Sequence, residues 1–134
     1  MGSVFIKIIN GEIPCYKVAE TENCFAFLDI NPLAKCHTLV VPKKEVDNIF
    51  DLDKSTYSEL FLLAMSIAKA IESVETCAKV GVAVIGLEVR HAHIHLIPIN
   101  GVNDIDFRKP KLKLSDQEFK EIAHQITSAI KPNL

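Results

Sequence analysis

No apolar run in this chain is long enough to cross a membrane, neither sign of charge prevails, and no two cysteines form a local pair. Each absence removes a class of function. A spanning helix needs about 20 apolar residues, so no membrane partner is expected. Fifteen basic residues stand against seventeen acidic ones, a formal net charge of −2. Without a basic field to gather nucleic acid or an anionic surface, any phosphate must be bound by local groups. The cysteines Cys15, Cys24, Cys36 and Cys77 form no CxxC, which argues against a sequence-local zinc knuckle and a redox motif and reads as small buried hydrophobes. Glycine and proline, at five and six residues, are not enriched. With no repeat or low-complexity tract either, disordered and fibrous classes are excluded. The opening MGSVFIKIINGEIP lacks the charged, apolar and small-residue succession of a secretory signal, so a cytoplasmic protein is expected.

What remains has the composition of an ordinary folded domain, 49% apolar and 24% charged over 134 residues. That is enough chain for one core and too little for two. Ser3 can cap a short helical turn carrying Phe5, Ile8 and Ile9, which Gly11 and Pro14 end. Residues 16–19, 24–28 and 37–41 are short, β-branched or aromatic, and separated by turn formers, which predicts an antiparallel meander. From Asp53, an available N-cap, Tyr57, Leu60, Phe61, Ala64, Ile67, Ala68 and Ile71 recur at helical spacing and predict a long helix packed across the sheet, ending near Val74. Two further strands are expected over 79–85 and 90–98. Ser115 and Glu118 then form a capping box for a last helix with Phe119, Ile122, Ala123, Ile126 and Ile130 as its buried stripe. The basic run Arg108, Lys109, Lys111 and Lys113 is interrupted by Pro110 and reads as a solvated connection.

The chemistry concentrates in the strand predicted over 90–98, where His91, His93 and His95 alternate with Ala92, Ile94 and Leu96. At about 3.3 Å per residue the three imidazoles project to one side in a row of roughly 13 Å, with the apolar partners turned to the core. Six ring nitrogens on one small patch need partners, so the row is a functional site. Two chemistries fit. Neutral imidazoles bind zinc, copper and nickel, and His-x-His on a strand supplies two ligands. Imidazole also serves as nucleophile and proton carrier near neutral pH. Spacing alone does not separate the two.

The string from His91 to Pro98 has the form H-x-H-x-H-x-x, x apolar, and resembles the motif of the histidine triad (HIT) family of nucleotide hydrolases and transferases. VFIKIINGEIP, FAFLDINPLAKCHTLVVPKK and the long helix are similar to the corresponding parts of that family, in the same order, and bacterial histidine triad nucleotide-binding proteins are the members most resembled. The likeness covers residues 4–98. It implies a single HIT-like domain over 1–134, with 1–98 as the matched core and 99–134 as a C-terminal extension whose helix spans about 115–130. It further implies an α+β fold in which a long helix packs on an antiparallel sheet of about five strands, with a C-terminal helix, and a homodimer across which the sheet extends.

The activity implied is attack by His93 on the α-phosphate of a purine nucleotide conjugate, such as a phosphoramidate, dinucleoside polyphosphate or nucleotide sugar, through a nucleotidyl-histidine intermediate. Such catalysis divides one displacement into two easier ones, each needing donors for the charge on phosphorus oxygens. By the same resemblance His95 donates to a phosphate oxygen, His91 orients the site, and His37 is a proton relay or orienting partner; its plain reading is a strand-end hydrogen bonder. Val4, Phe5, Ile8, Phe27 and Ile30 would line the base pocket and Asp29 would hold the ribose hydroxyls. Taken singly the apolar members read as core, and Asp29 as a turn residue before Asn31 and Pro32.

The chain departs from the family where substrate is handled. Most members carry Gly-Gln followed by Ser or Thr before the triad, where this chain has Gly86, Leu87 and Glu88. Leu87 forms no hydrogen bond through its side chain, and Glu88 brings negative charge toward an anionic substrate. Arg90, on the opposite face to His91 by alternation, reads as a surface residue. Some bacterial relatives hold a structural zinc, but the matching positions here are Ser3, Ile6 and Glu45, so neither metal nor cofactor is expected. Two other functions compete with the enzyme: a nucleotide-binding module with feeble catalysis, suggested by Leu87 and Glu88, and a small metalloprotein ligated by the three histidines.

Overall fold

The computed structural model describes residues 2–131. The sheet has five strands, β1 (Lys17–Glu20), β2 (Cys24–Leu28), β3 (Thr38–Pro42), β4 (Lys79–Ala83) and β5 (Ile94–Ile99), in the order β1-β2-β3-β5-β4 with every pairing antiparallel. Among the described residues three α-helices accompany it, α1 (Val4–Ile9), α2 (Lys54–Val74) and α3 (Asp116–Ala129), with short 3-10 turns at Ile49–Asp51 and Val102–Asp104. This is the α+β arrangement expected.

Every residue of β2 and β3 is buried, which single-sided amphipathic strands do not require. Each face of these two strands is covered. Cys24, Ala26, Leu28 and Val40 join the core beneath α2 and α3, while Phe25, Phe27, Leu39 and Val41 turn to a second cluster with Phe5 of α1. Strand alternation thus divides one continuous apolar run between two cores.

Asp53 caps α2 by accepting from the Thr56 amide at 3.0 Å. The predicted stripe is buried at Leu60, Ala64, Ile67 and Ile71, and Leu63 and Ala70 join it, whereas Tyr57, Phe61 and Ala68 sit half-buried at its margins. Ser115 and Glu118 form the reciprocal capping box of α3.

The strand predicted over 79–85 ends at Ala83, and the largest displacement of an expected boundary is at the start of β5. The strand predicted over 90–98 starts its ladder at Ile94, so His91 and His93 precede it. Pairing with β3 runs only from Thr38↔Leu96 to Val40↔Ile94. Beyond that point the Ala92 amide bonds to the Val46 carbonyl at 2.7 Å, and the Pro42 carbonyl is taken by the His91 ring at 2.7 Å. Alternation nonetheless persists: Ala92, Ile94 and Leu96 enter the core under α2, and Phe5 packs edge-on against both His91 and His93 on the other face.

Candidate active site

The protonation pattern of the histidines follows from their hydrogen bonds. Ser3 Oγ accepts from the Ile6 amide at 3.2 Å, so its own proton is directed to His91 Nδ1 at 2.7 Å. His91 Nε2 lies 2.7 Å from the Pro42 carbonyl, which only accepts, so this nitrogen carries the ring proton. Both nitrogens of the fully buried His91 are therefore engaged.

His93 Nδ1 donates to the His91 carbonyl at 2.7 Å, so in the neutral ring the lone pair is on Nε2. His95 is set the opposite way. The Leu33 amide donates to His37 Nδ1 at 3.0 Å, which leaves the proton of neutral His37 on Nε2, 3.0 Å from His95 Nδ1. His95 Nδ1 accepts, and its proton resides on Nε2. Among the described residues no buried side-chain nitrogen or oxygen lacks a partner. The Nε2 atoms of His93 and His95 bond to no protein group, so both open into the cavity that these residues line. One presents a lone pair and the other an N–H, with ring centroids 4.8 Å apart.

Burial favours the neutral form of His37, His91 and His95. It pushes the His37 pKa down to about 3, helped by the nearby His95, and His95 down to about 4, helped by His93. The His91 pKa is lowered by burial too, against the opposing bond to Pro42. Asp29 shifts the other way, its carboxyl raised by burial and partly restored by the Asn31 amide.

The cavity measures about 540 Å³, within the range of small-molecule sites. Val4, Phe5, Ile8, Phe27 and Ile30 all line it, with Ile30 at the rim at 63% exposure. Asp29 fulfils both of its readings: Oδ1 accepts from the Asn31 amide at 2.8 Å, closing the turn, while the residue borders the cavity and Oδ2 lies 3.5 Å from His37 Nε2. Gly86, Leu87 and Glu88 also line the cavity, with a Gly86 φ of 71° at the turn before the triad. His91 and His37 line no part of it; they stand behind His93 and His95.

The sequence missed part of the wall. Phe107 and Lys111 border the cavity, Phe107 edge-on to His95 at 4.8 Å, so the basic run is not simply a solvated connection. Cys24 and Cys36 are buried as expected, but Cys15 and Cys77 are only half-buried and Cys15 lies on the cavity wall. Arg90 is exposed and faces Asp47 at 3.6 Å.

Metal ligation fits these residues poorly. A three-histidine site needs one free nitrogen from each ring, and His91 has none. Asp29, His37 and His95 bring ligand atoms within 4.8 Å of one another, yet His37 Nε2 holds a proton for as long as the Leu33 amide occupies Nδ1. At the positions of the relatives' zinc, Ile6 has no donor atom, and Ser3 and Glu45 are joined to each other and to His91 by hydrogen bonds.

A five-stranded antiparallel sheet backed by a long helix, with H-x-H-x-H leading into a central strand beside an apolar cleft, defines the histidine triad class of small α+β proteins. The chain belongs to that family, and the HIT domain model matches residues 10–101. It is 35% identical over 135 residues to an uncharacterised HIT-like protein of Borreliella burgdorferi, covering 95% of this chain and 97% of that one. It is 34% identical over 134 residues to an adenosine 5'-monophosphoramidase of Schizosaccharomyces pombe, covering 98% and 100%. The crystal structure of a HIT-like protein from Bartonella henselae matches with a TM-score of 0.83 at 30% identity, over 96% of each chain.

Proposed function

We propose that this protein is a nucleotide hydrolase or nucleotidyl transferase acting on the α-phosphate of a purine nucleotide conjugate, in particular a nucleoside phosphoramidate. The observation that carries the reading is the opposite polarity of two adjacent ring nitrogens, the His93 Nε2 lone pair and the His95 Nε2 proton. The His93 nitrogen attacks phosphorus and forms a P–N bond as the bond to the leaving group breaks. His95 donates to a non-bridging oxygen as charge accumulates there. The amine leaves in that first step, taking up a proton; water then attacks the nucleotidyl-His93, its hydroxyl passing to phosphorus as the P–Nε2 bond breaks, the electron pair returns to the imidazole and the second water proton is released, so that phosphoramidate and water become nucleoside monophosphate and amine. Phe5, Ile8, Phe27 and Ile30 receive the base, and Asp29 takes the ribose hydroxyls through its free carboxylate oxygen. His37 and His91 fix the tautomers of their neighbours. The similarity to an adenosine 5'-monophosphoramidase over nearly the whole chain supports this chemistry.

A second reading, nucleotide binding with slow turnover, is favoured by Leu87 and Glu88 on the cavity wall, neither of which brings a side-chain donor to the leaving group. One experiment separates the two. Adenosine 5'-monophosphoramidate, rapid quenching and intact mass spectrometry should reveal an adenylyl adduct in wild type and none in His93→Ala, whose turnover should drop by at least about a thousandfold. Nucleotide binding without any adduct would leave the binding module standing instead.

We also infer a homodimer. The outer edge of β4 is unpaired in the sheet order, and Val82 on it is 56% exposed; α2, which packs on β4, exposes Leu62 and Met65. Four free thiols suit a reducing compartment.

A further inference from the structure

The segment following β5 carries none of the residues that the family resemblance assigns to the site, and it begins where the HIT domain match stops, at residue 101. It nevertheless closes one wall of the cavity. Its near end is tied by Asp104, which accepts from the Asn100 and Gly101 amides at 2.7 and 2.9 Å. Its far end is pinned where the Leu112 amide donates to the Pro32 carbonyl at 2.8 Å, just beyond Asp29. Between these ties Phe107 is set against His95 and, at 6.4 Å, against His37.

Lys111 curls back over this strap. Its Nζ donates to the carbonyls of Phe107 at 2.5 Å and Lys109 at 3.0 Å. An ammonium has three N–H groups, so one is left over, and Lys111 forms no ion pair among the described residues. Among the described residues the cavity wall holds two carboxylates, Asp29 and Glu88, and one permanent cation, Lys111. Burial keeps His95 neutral down to about pH 4, so this histidine adds a donor and no charge. The side chains of Gly86, Leu87 and Glu88 add no donor and no positive charge.

We propose that Lys111 is a phosphate-binding residue of the nucleotide site, its third N–H donating to a non-bridging oxygen of the phosphoryl group held at His93. The strap thereby supplies in cis the donor that Leu87 and Glu88 lack. Two backbone carbonyls hold the ammonium, and its charge acts on Asp29 and on His37, the ring bonded to His95, so little side-chain freedom remains to be lost on binding. A single cation facing two carboxylates suits one phosphate and not a chain of them. This inference rests on the nucleotide reading above.

Titration calorimetry with AMP and with adenosine, on wild type, Lys111→Met and Lys113→Met, tests it. Lys113 belongs to the same basic run but does not border the cavity, so it controls for surface charge. Lys111→Met should weaken AMP about 10- to 100-fold, as expected for one charge-assisted hydrogen bond. It should leave adenosine binding unchanged, which also reports an intact base pocket. Lys113→Met should bind both as wild type does. Unchanged AMP affinity in Lys111→Met, equal losses for AMP and adenosine, or an equal loss of AMP affinity in Lys113→Met would each overturn the assignment. Failure of wild type to bind either ligand would overturn the nucleotide reading and this assignment with it.

Discussion

Ser3 serves two structures with one hydroxyl. It caps α1 by accepting from the Ile6 amide and donates its proton to His91 Nδ1, so the start of the first helix and the back of the triad share one oxygen. Removing it should cost the cap and leave a buried imidazole nitrogen without a donor. Ser3→Ala is therefore expected to lower the unfolding free energy by about 2 kcal/mol, measured by urea denaturation, with Ser3→Thr retaining most of it. A loss no larger than an exposed cap alone, under about 1 kcal/mol, would show that the bond to His91 contributes nothing. Reading the sequence alone, Ser3 was legible as a cap and as a missing zinc ligand; its link to a residue 88 positions away was not, because hydrogen bonds at that distance in sequence exist only after the sheet has formed.

At the scale of elements, periodicity and capping signals located the three α-helices and five strands of the described residues to within a few residues, but not the short 3-10 turns at Ile49–Asp51 and Val102–Asp104. The exceptions have physical causes. The ladder of β5 begins late because the Pro42 and Val46 carbonyls leave the sheet register to bond His91 and Ala92. The strap after β5 resembled a solvated linker because three of its four basic residues do extend outward; what holds Lys111 inward is backbone, the carbonyls of Phe107 and Lys109, for which side-chain identity gives no sign. The β4 edge carries a prediction of its own. An unpaired edge bearing an exposed valine invites a second copy, and a lysine there opposes it. Wild type should sediment at twice the mass of the chain and Val82→Lys at the mass of one, while a monomeric wild type would remove the dimer.

For the whole molecule, burying neutral histidines links stability to pH. Both His37 and His95 have folded pKa values, about 3 and about 4, below the ordinary imidazole value of 6.5. Between those limits the unfolded chain binds more protons than the folded one, so stability rises with pH there. The contribution is fully present above about pH 6.5 and is lost progressively as pH falls toward 4. Thermal melts between pH 7.5 and 4 should show this decline, and His37→Asn should flatten it; equal slopes in both proteins would assign the effect to other groups. What the sequence by itself determined is everything carried by local pattern: the α+β class, the caps, the alternation that puts His91, His93 and His95 on one face, and the likeness to the histidine triad family. Tertiary structure alone decided which ring nitrogen bears each proton, that His91 and His37 stand behind the cavity while His93 and His95 face it, and that Lys111 reaches it. Those outcomes depend on carbonyls and amides brought together from distant parts of the chain, and a backbone group has the same chemistry whatever residue carries it.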